Sequence, residues 1–153
     1  MAIEIERKFL IKGDFMPFVK KTIAITQAYL CASPQRTVRL RIKGEAAFIT
    51  IKGPSNANGF SRCEFEYSIP LEDAKEMISL CESDAIIKER HYIDFKGHLF
   101  EVDVFHGKQE GLIMAEIELD SEEEAFEKPS WLGEEVTGRK EYYNAYMALN
   151  SLS

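Results

Sequence analysis

The sequence predicts a mainly β, α+β fold made of antiparallel strands. Apolar and polar residues alternate with period two in segment after segment, as in strands with two unlike faces. The segments are separated by short turn-forming stretches such as Gly44-Glu45, Lys96-Gly97 and the loop PSNANG at 54–59. Helical spacing is confined to a few short stretches, so most strands follow one another directly.

Residues 2–11 form the first strand, with Glu4, Glu6 and Lys8 on one face and Ile3, Ile5, Arg7 and Phe9 on the other. A short connector over 13–21 allows one helical turn around Pro17. The second strand, 22–32, is β-branched early and stops before Ser33-Pro34. Residues 36–44 and 46–53 make a hairpin, and 60–69 is the next strand. Pro70 opens a helix over LEDAKEMISLC, with acids in its first turn and a stripe of Leu71, Ala74, Met77, Ile78 and Cys81. Strands follow at 84–95, 98–105 and 112–120. Ser121 with Glu124 fits a capping box for a short helix ending near Pro129. A short extended piece lies within 131–138, and 139–149 reads as a closing amphipathic helix.

The length of 153 residues suits one domain, spanning 1–153, with a core of its own. The net charge of −7 argues against nucleic acid and acidic membranes as partners, so any anion site is local. Cys31, Cys63 and Cys81 are odd in number and lack a metal-binding spacing, which makes them small buried residues of a reducing, cytoplasmic protein. No signal peptide is expected, and no apolar run approaches the roughly 18 residues that span a membrane.

The charged faces carry the functional signal. Like charges recur two apart: Glu4/Glu6, Arg39/Arg41, Lys88/Arg90, Glu101/Asp103 and Glu116/Glu118. Arg62, Glu64 and Glu66 share one face, and Lys52 follows Thr50. A solvated sheet face also alternates, but it usually mixes Thr, Ser, Lys and Glu. Like charges about 7 Å apart on one strand repel, and a fold keeps them when opposite charge sits between. If these faces turn inward, desolvation costs several kcal/mol per ion, on the order given for buried charges, unless the interior stays wet and holds counter-ions. Clustered carboxylates suit Mg²⁺ or Mn²⁺. Clustered Arg and Lys suit phosphate oxygens. One cavity lined by both suits a metal-bound polyphosphate.

Glu4-x-Glu6-x-Lys8 resembles the signature of the CYTH domain, also called the triphosphate tunnel metalloenzymes. The likeness continues through VRLRIKG, ITIKGP, RCEFEY, KERHY, FEVDVF, MAEIEL and GEEVTGRKEYYNAYMA. Small bacterial inorganic tripolyphosphatases look closest in length. The resemblance implies an eight-stranded antiparallel closed barrel, open as a tunnel, with a few flanking helices and a C-terminal helix over one end. It implies metal ligands at Glu4, Glu6, Glu116 and Glu118, with Glu66 and Asp103 as further acidic tunnel residues. It implies a phosphate clamp of Lys8, Arg39, Arg41, Lys52, Lys88 and Arg90, with Arg62 beside it. Glu4, Glu6, Lys8, Lys88 and the tunnel-mouth tyrosine Tyr29 are the expected catalytic set. Glu64 and Glu101 are weaker candidates, and Arg139 and Lys140 read as surface charges.

The activity so implied is Mg²⁺- or Mn²⁺-dependent hydrolysis of a triphosphate, most simply inorganic tripolyphosphate to pyrophosphate and phosphate. A class IV-type adenylate cyclase, or a thiamine or nucleoside triphosphatase, on the same barrel stays open, as does a polyphosphate-binding sensor. No covalent intermediate is needed, and neither the cysteines nor His91, His98 and His106 are expected to act. Apolar outward faces with few helices to cover them suggest a homodimer.

Overall fold

A computed structural model describes residues 2–149. The expected 1–153 domain therefore extends beyond the described residues at both ends. The described residues form nine strands: β1 (Ala2–Ile11), β2 (Lys21–Ser33), β3 (Arg36–Lys43), β4 (Ala46–Lys52), β5 (Ser61–Ile69), β6 (Ile86–Phe95), β7 (His98–His106), β8 (Ile113–Glu118) and β9 (Leu132–Glu135). Two α-helices, α1 (Leu71–Ile78) and α2 (Asn144–Leu149), accompany them.

The first eight strands close on themselves. Around the ring the order is β1, β5, β4, β3, β2, β6, β7, β8, and all neighbours are antiparallel. Strand β1 makes closure possible by sharing one edge between two partners. Its start pairs with β5 (Ile3 opposite Cys63), and its end pairs with β9 (Phe9 opposite Glu135). Gly133 permits the second pairing, because a Cβ there would lie 2.9 Å from the carbonyl oxygen of Leu10. The β6–β7 hairpin turns through Lys96 (φ 50°) and Gly97 (φ 82°), both in the left-handed region that a two-residue hairpin turn needs.

Register carries the alternation around the ring. Glu6 faces Glu118, Lys8 faces Glu116, Arg90 faces Asp103, Lys52 faces Glu64 and Gln27 faces Arg41. All the charged faces therefore turn into one bore. The apolar faces turn out and make the main core, where Phe9, Ile93, Phe100, Val102, Ala115 and Ile117 pack under Phe15, Trp131 and Leu132. A second cluster blocks one end of the bore, with Tyr29, Ile86, Phe105 and Met114 against Met147 and Ala148 of α2. Helix α1 lies over β2, β3 and β4. Ile3, Ile51 and Tyr67 stay exposed on the outside of β1, β4 and β5.

Three local expectations need correction. No helix forms over 121–129. The Glu124 carboxylate accepts the Asp120 N–H at 2.6 Å and meets His98 Nε2 at 2.6 Å, which ties it to β7. Phe126 then packs edge-on against Phe9 and Phe100. The closing helix is also broken: a 3-10 turn at Lys140–Tyr142, an extended Tyr143 (ψ 133°), then α2. The cause lies in the bore, where Lys8 Nζ donates to the carbonyl oxygen of Tyr142 at 3.2 Å. The cysteines are half-buried free thiols rather than fully buried ones. A smaller difference is that α1 ends at Ile78, where the Ser79 hydroxyl donates to the Glu76 carbonyl and ends the regular ladder.

Candidate active site

The bore encloses a cavity of about 800 Å³. Its lining includes every expected site residue except Asp103: Glu4, Glu6, Lys8, Tyr29, Arg39, Arg41, Lys52, Arg62, Glu66, Lys88, Arg90, Glu116 and Glu118. Glu64, Glu101, Thr50 and Asn144 line it too. The loop at 54–60 and residues 137–146 border it. Those two segments meet glycine to glycine: a Cβ on Gly59 (φ 79°) would lie 2.6 Å from the Cα of Gly138.

Ring order sorts the charges into two walls. Strands β7, β8, β1 and β5 are consecutive and carry Glu101, Glu116, Glu118, Glu4, Glu6, Glu64 and Glu66, with Lys8 and Arg62 as their cations. Strands β6, β2, β3 and β4 are consecutive and carry Lys88, Arg90, Arg39, Arg41 and Lys52. Along the chain these strands are interleaved, so only closure reveals the two walls.

The acidic wall is short of positive charge. Burial, then Glu116 and Glu4, push the Glu6 carboxyl up to about 8. Burial and neighbouring carboxylates also raise Glu64, Glu101 and Glu118. Cations do reach this wall: Glu4 and Glu64 share Lys52 at 2.7 and 3.6 Å, Glu116 meets Lys8 at 3.6 Å and Glu101 meets Arg90 at 3.5 Å. At Glu4 and Glu116 the cation prevails. Burial opposes ionisation of Glu4, but Lys52 Nζ at 2.7 Å holds it below the usual range. Burial is likewise outweighed at Glu116, where Lys8 at 3.6 Å, with Arg90 and Lys88, holds the carboxyl far down. Among the described residues no three carboxylates converge as a ready-made metal cage. With Glu4 turned to Lys52 and Glu116 to Lys8, the oxygens are spread over their lysine partners.

The basic wall is short of negative charge. Burial, then Arg39 and Arg90, push Arg41 down to about 9. Its Nε donates to a neutral atom, Gln27 Oε1, at 2.8 Å. Burial, with Arg90 and Arg41 adding repulsion, brings Lys88 down to about 7 even though Asp103 lies 2.7 Å away. Asp103 is only 2% exposed and sits beneath this wall. It takes Arg90 in a two-point pair at 2.8 and 2.9 Å and also meets Lys88, so it faces cations on every contact. Glu66 behaves similarly: it accepts the Thr50 hydroxyl at 2.8 Å and meets Arg39 at 3.7 Å.

The structure thus places Glu64 and Glu101 with the carboxylates, and Glu66 and Asp103 with the cations. Sequence reasoning placed Thr50 on the face of Lys52 without giving it a role, and it missed Gln27 and Asn144, although Gln27 shares Tyr29's face. Arg62 stands at the loop end, its Nε donating to the Gly53 carbonyl at 3.2 Å. Arg139 and Lys140 are exposed, and Arg139 pairs with Glu134 at 3.1 Å. None of the three histidines lines the cavity. His91 is buried outside the bore, bonded to Thr22 and packed by Phe15.

The CYTH domain model matches residues 2–145. The chain belongs to the CYTH family. It is 41% identical over 151 residues to an inorganic triphosphatase of Acetivibrio thermocellus, covering 98% of this chain and 96% of that protein. It is 36% identical over 152 residues to an inorganic triphosphatase of Nitrosomonas europaea, covering 96% and 97%. A crystal structure of an inorganic triphosphatase matches it with a TM-score of 0.66 at 33% identity, over 97% of this chain and 96% of that one. This CYTH chain therefore spans nearly the full length of these relatives.

Proposed function

We propose that this CYTH protein is an inorganic triphosphatase, hydrolysing tripolyphosphate to pyrophosphate and phosphate with Mg²⁺ or Mn²⁺. The observation that carries this is the pairing of two under-neutralised walls on one bore. Burial and neighbouring carboxylates, Glu4 and Glu116 above all, raise Glu6, Glu64, Glu101 and Glu118, while Arg41 and Lys88 sit among other cations. A ligand that brings positive charge to one wall and negative charge to the other relieves both. The names of the relatives support inorganic triphosphate as that anion.

The oxygen-only donor set fits a hard divalent ion, and the raised pKa of Glu6 and Glu118 marks the positive charge it would supply. Glu4, Glu6, Glu116 and Glu118 would hold it, with Glu64 and Glu101 beside them. When bound, such an ion supplies a Lewis acid for phosphoryl oxygens and for the attacking water. The protein's own work is positioning and charge. Arg39, Arg41, Lys88 and Arg90 hold phosphate oxygens and stabilise charge as the terminal phosphoryl group leaves. Asp103, in this reading, fixes Arg90 and Lys88 rather than binding metal. Lys8, between Glu116 and the Tyr142 carbonyl, ties the acidic wall to the C-terminal segment. Tyr29 forms the blocked end beside them.

Among the described residues no helix is long and apolar enough to cross a membrane. The three free cysteines suit the cytoplasm. A homodimer through the strip of Ile3, Ile51 and Tyr67 is the assembly this reading expects, and sedimentation velocity measures it directly.

Phosphate release from tripolyphosphate, ATP and thiamine triphosphate, each with Mg²⁺, Mn²⁺ or EDTA, tests the function. The reading expects metal-dependent release with tripolyphosphate the fastest substrate. Cyclic AMP from ATP, or binding without hydrolysis of any substrate, would overturn it.

A further inference from the structure

Two neutral side chains join the phosphate clamp to the C-terminal segment. The Gln27 side chain is fully buried, with Oε1 accepting from Arg41 Nε at 2.8 Å. Its Nε2 donates to Asn144 Oδ1 at 2.9 Å. The same Asn144 oxygen accepts from Lys88 Nζ at 3.0 Å. These bonds leave no freedom in how either amide is turned. The oxygen of Gln27 must face a guanidinium N–H, so its NH₂ faces Asn144. The oxygen of Asn144 must face two donors, so its NH₂ points away from both.

That NH₂ has no acceptor among the described residues, and Asn144 lines the cavity. It is a donor kept free beside two cations that also lack sufficient negative charge. A carboxylate at either amide position would have neutralised Arg41 or Lys88. The amides hold both in place and leave their charge available.

Resting on the triphosphatase reading, we propose that Asn144 is a substrate-binding residue donating to the phosphoryl group held by Arg41 and Lys88. Gln27 is the positioning residue that aims Arg41 and orients Asn144. The C-terminal segment is then part of the substrate site, and its last helical stretch serves as more than a stopper.

The test compares Asn144→Asp with Asn144→Ala. Aspartate keeps an oxygen for both Gln27 and Lys88 and adds an ion pair, so a purely structural Asn144 makes it the milder change. A substrate-binding Asn144 makes it the more damaging one, because a carboxylate then faces phosphate. Binding of imidotriphosphate is measured by calorimetry, alongside KM and kcat for tripolyphosphate and the unfolding temperature of each variant. Asn144→Ala is expected to weaken binding by about tenfold, the loss of a hydrogen bond to a charged group. Asn144→Asp is expected to weaken it further while unfolding at or above the wild-type temperature. Gln27→Met is expected to weaken it too, and less than additively when combined with Asn144→Ala. Binding by Asn144→Asp equal to wild type, or tighter than by Asn144→Ala, overturns the inference. Wild-type binding without phosphate release overturns the triphosphatase reading alone, because the binding comparison still decides the role of Asn144. No binding by the wild type removes both.

Discussion

The two walls of the bore are opposites that share one defect. On β7, β8, β1 and β5 carboxylates outnumber their partners, and Glu6 is pushed up to about 8. On β6, β2, β3 and β4 cations do, and Lys88 and Arg41 are pushed down to about 7 and about 9. Each wall also contains a pair that is satisfied: Glu4 with Lys52 across the acidic seam, and Arg90 with Asp103 under the basic one. A merely structural charge network would make all its pairs like these. The difference teaches where ligands belong, because groups left short of opposite charge still have interaction free energy to give.

The comparison breaks most sharply at Glu6. Glu6→Gln removes a carboxylate that the folded chain tolerates poorly but that the metal site needs. Activity should fall by about 10²–10³, the scale of losing one electrostatic group in a polar site, while thermal stability without metal rises. Activity and unfolding temperature measured on one preparation check both halves, and a variant that stays active removes Glu6 from the metal set.

The basic wall gives a smaller effect. Arg41→Ala removes one of several cations on the phosphate and should cost about tenfold to a hundredfold in kcat/KM. Stability should hold, since Arg41 has no carboxylate partner among the described residues and bonds only Gln27. Steady-state kinetics returning wild-type values would take it out of the clamp.

A pH series sharpens the contrast further. Carboxyls raised by folding bind more protons in the folded than in the unfolded chain. Between about pH 5 and 7 the contributions of Glu6, Glu64, Glu101 and Glu118 therefore make stability fall as pH rises. Glu4, Glu116 and Asp103, held below their usual range, are ionised in both states across this window. Lys88, brought down to about 7, is protonated in both states at about pH 5 to 6 but begins to lose its proton in the folded chain towards about pH 7, where it opposes the decline. Unfolding temperatures at pH 5, 5.5 and 6 in EDTA should decline, and excess Mg²⁺ should flatten the decline. A rise in EDTA contradicts the charge assignment of the acidic wall.

The smallest effect lies outside the bore. Arg7 points outward from β1 and grips Glu135 of β9 at 2.5 and 2.7 Å, stacked over Phe60. Arg7→Ala should cost about 1 kcal/mol or less, since the pair is partly exposed. Chemical denaturation measures that cost, and phosphate release should stay near wild type. A large loss of activity would mean that β9 docking controls the bore.

The strands, the inward faces and nearly all the charged strand residues that line the bore were legible in the sequence, because period-two alternation is local. What was not legible depends on closure. Glu64 and Glu101 join the carboxylates only because β5 and β7 flank β1 and β8. Asp103 and Glu66 leave that set because their strands also border the basic half. The helices failed for a related reason. The Tyr142 carbonyl had a local helical use that Lys8 took instead, and Glu124 gained His98 as a distant partner. Gln27 and Asn144 were passed over because a lone amide has no pattern until its partners are in space.

The central claim is that one metal-bound chain of phosphates satisfies both walls together. Crystals grown with imidotriphosphate and Mn²⁺, measured at an anomalous wavelength for manganese, test it most directly. The account predicts manganese against Glu6, Glu116 and Glu118, with phosphoryl oxygens bridging from it to Arg41 and Lys88. Manganese absent from the bore, or the phosphates bound outside it, would contradict the account.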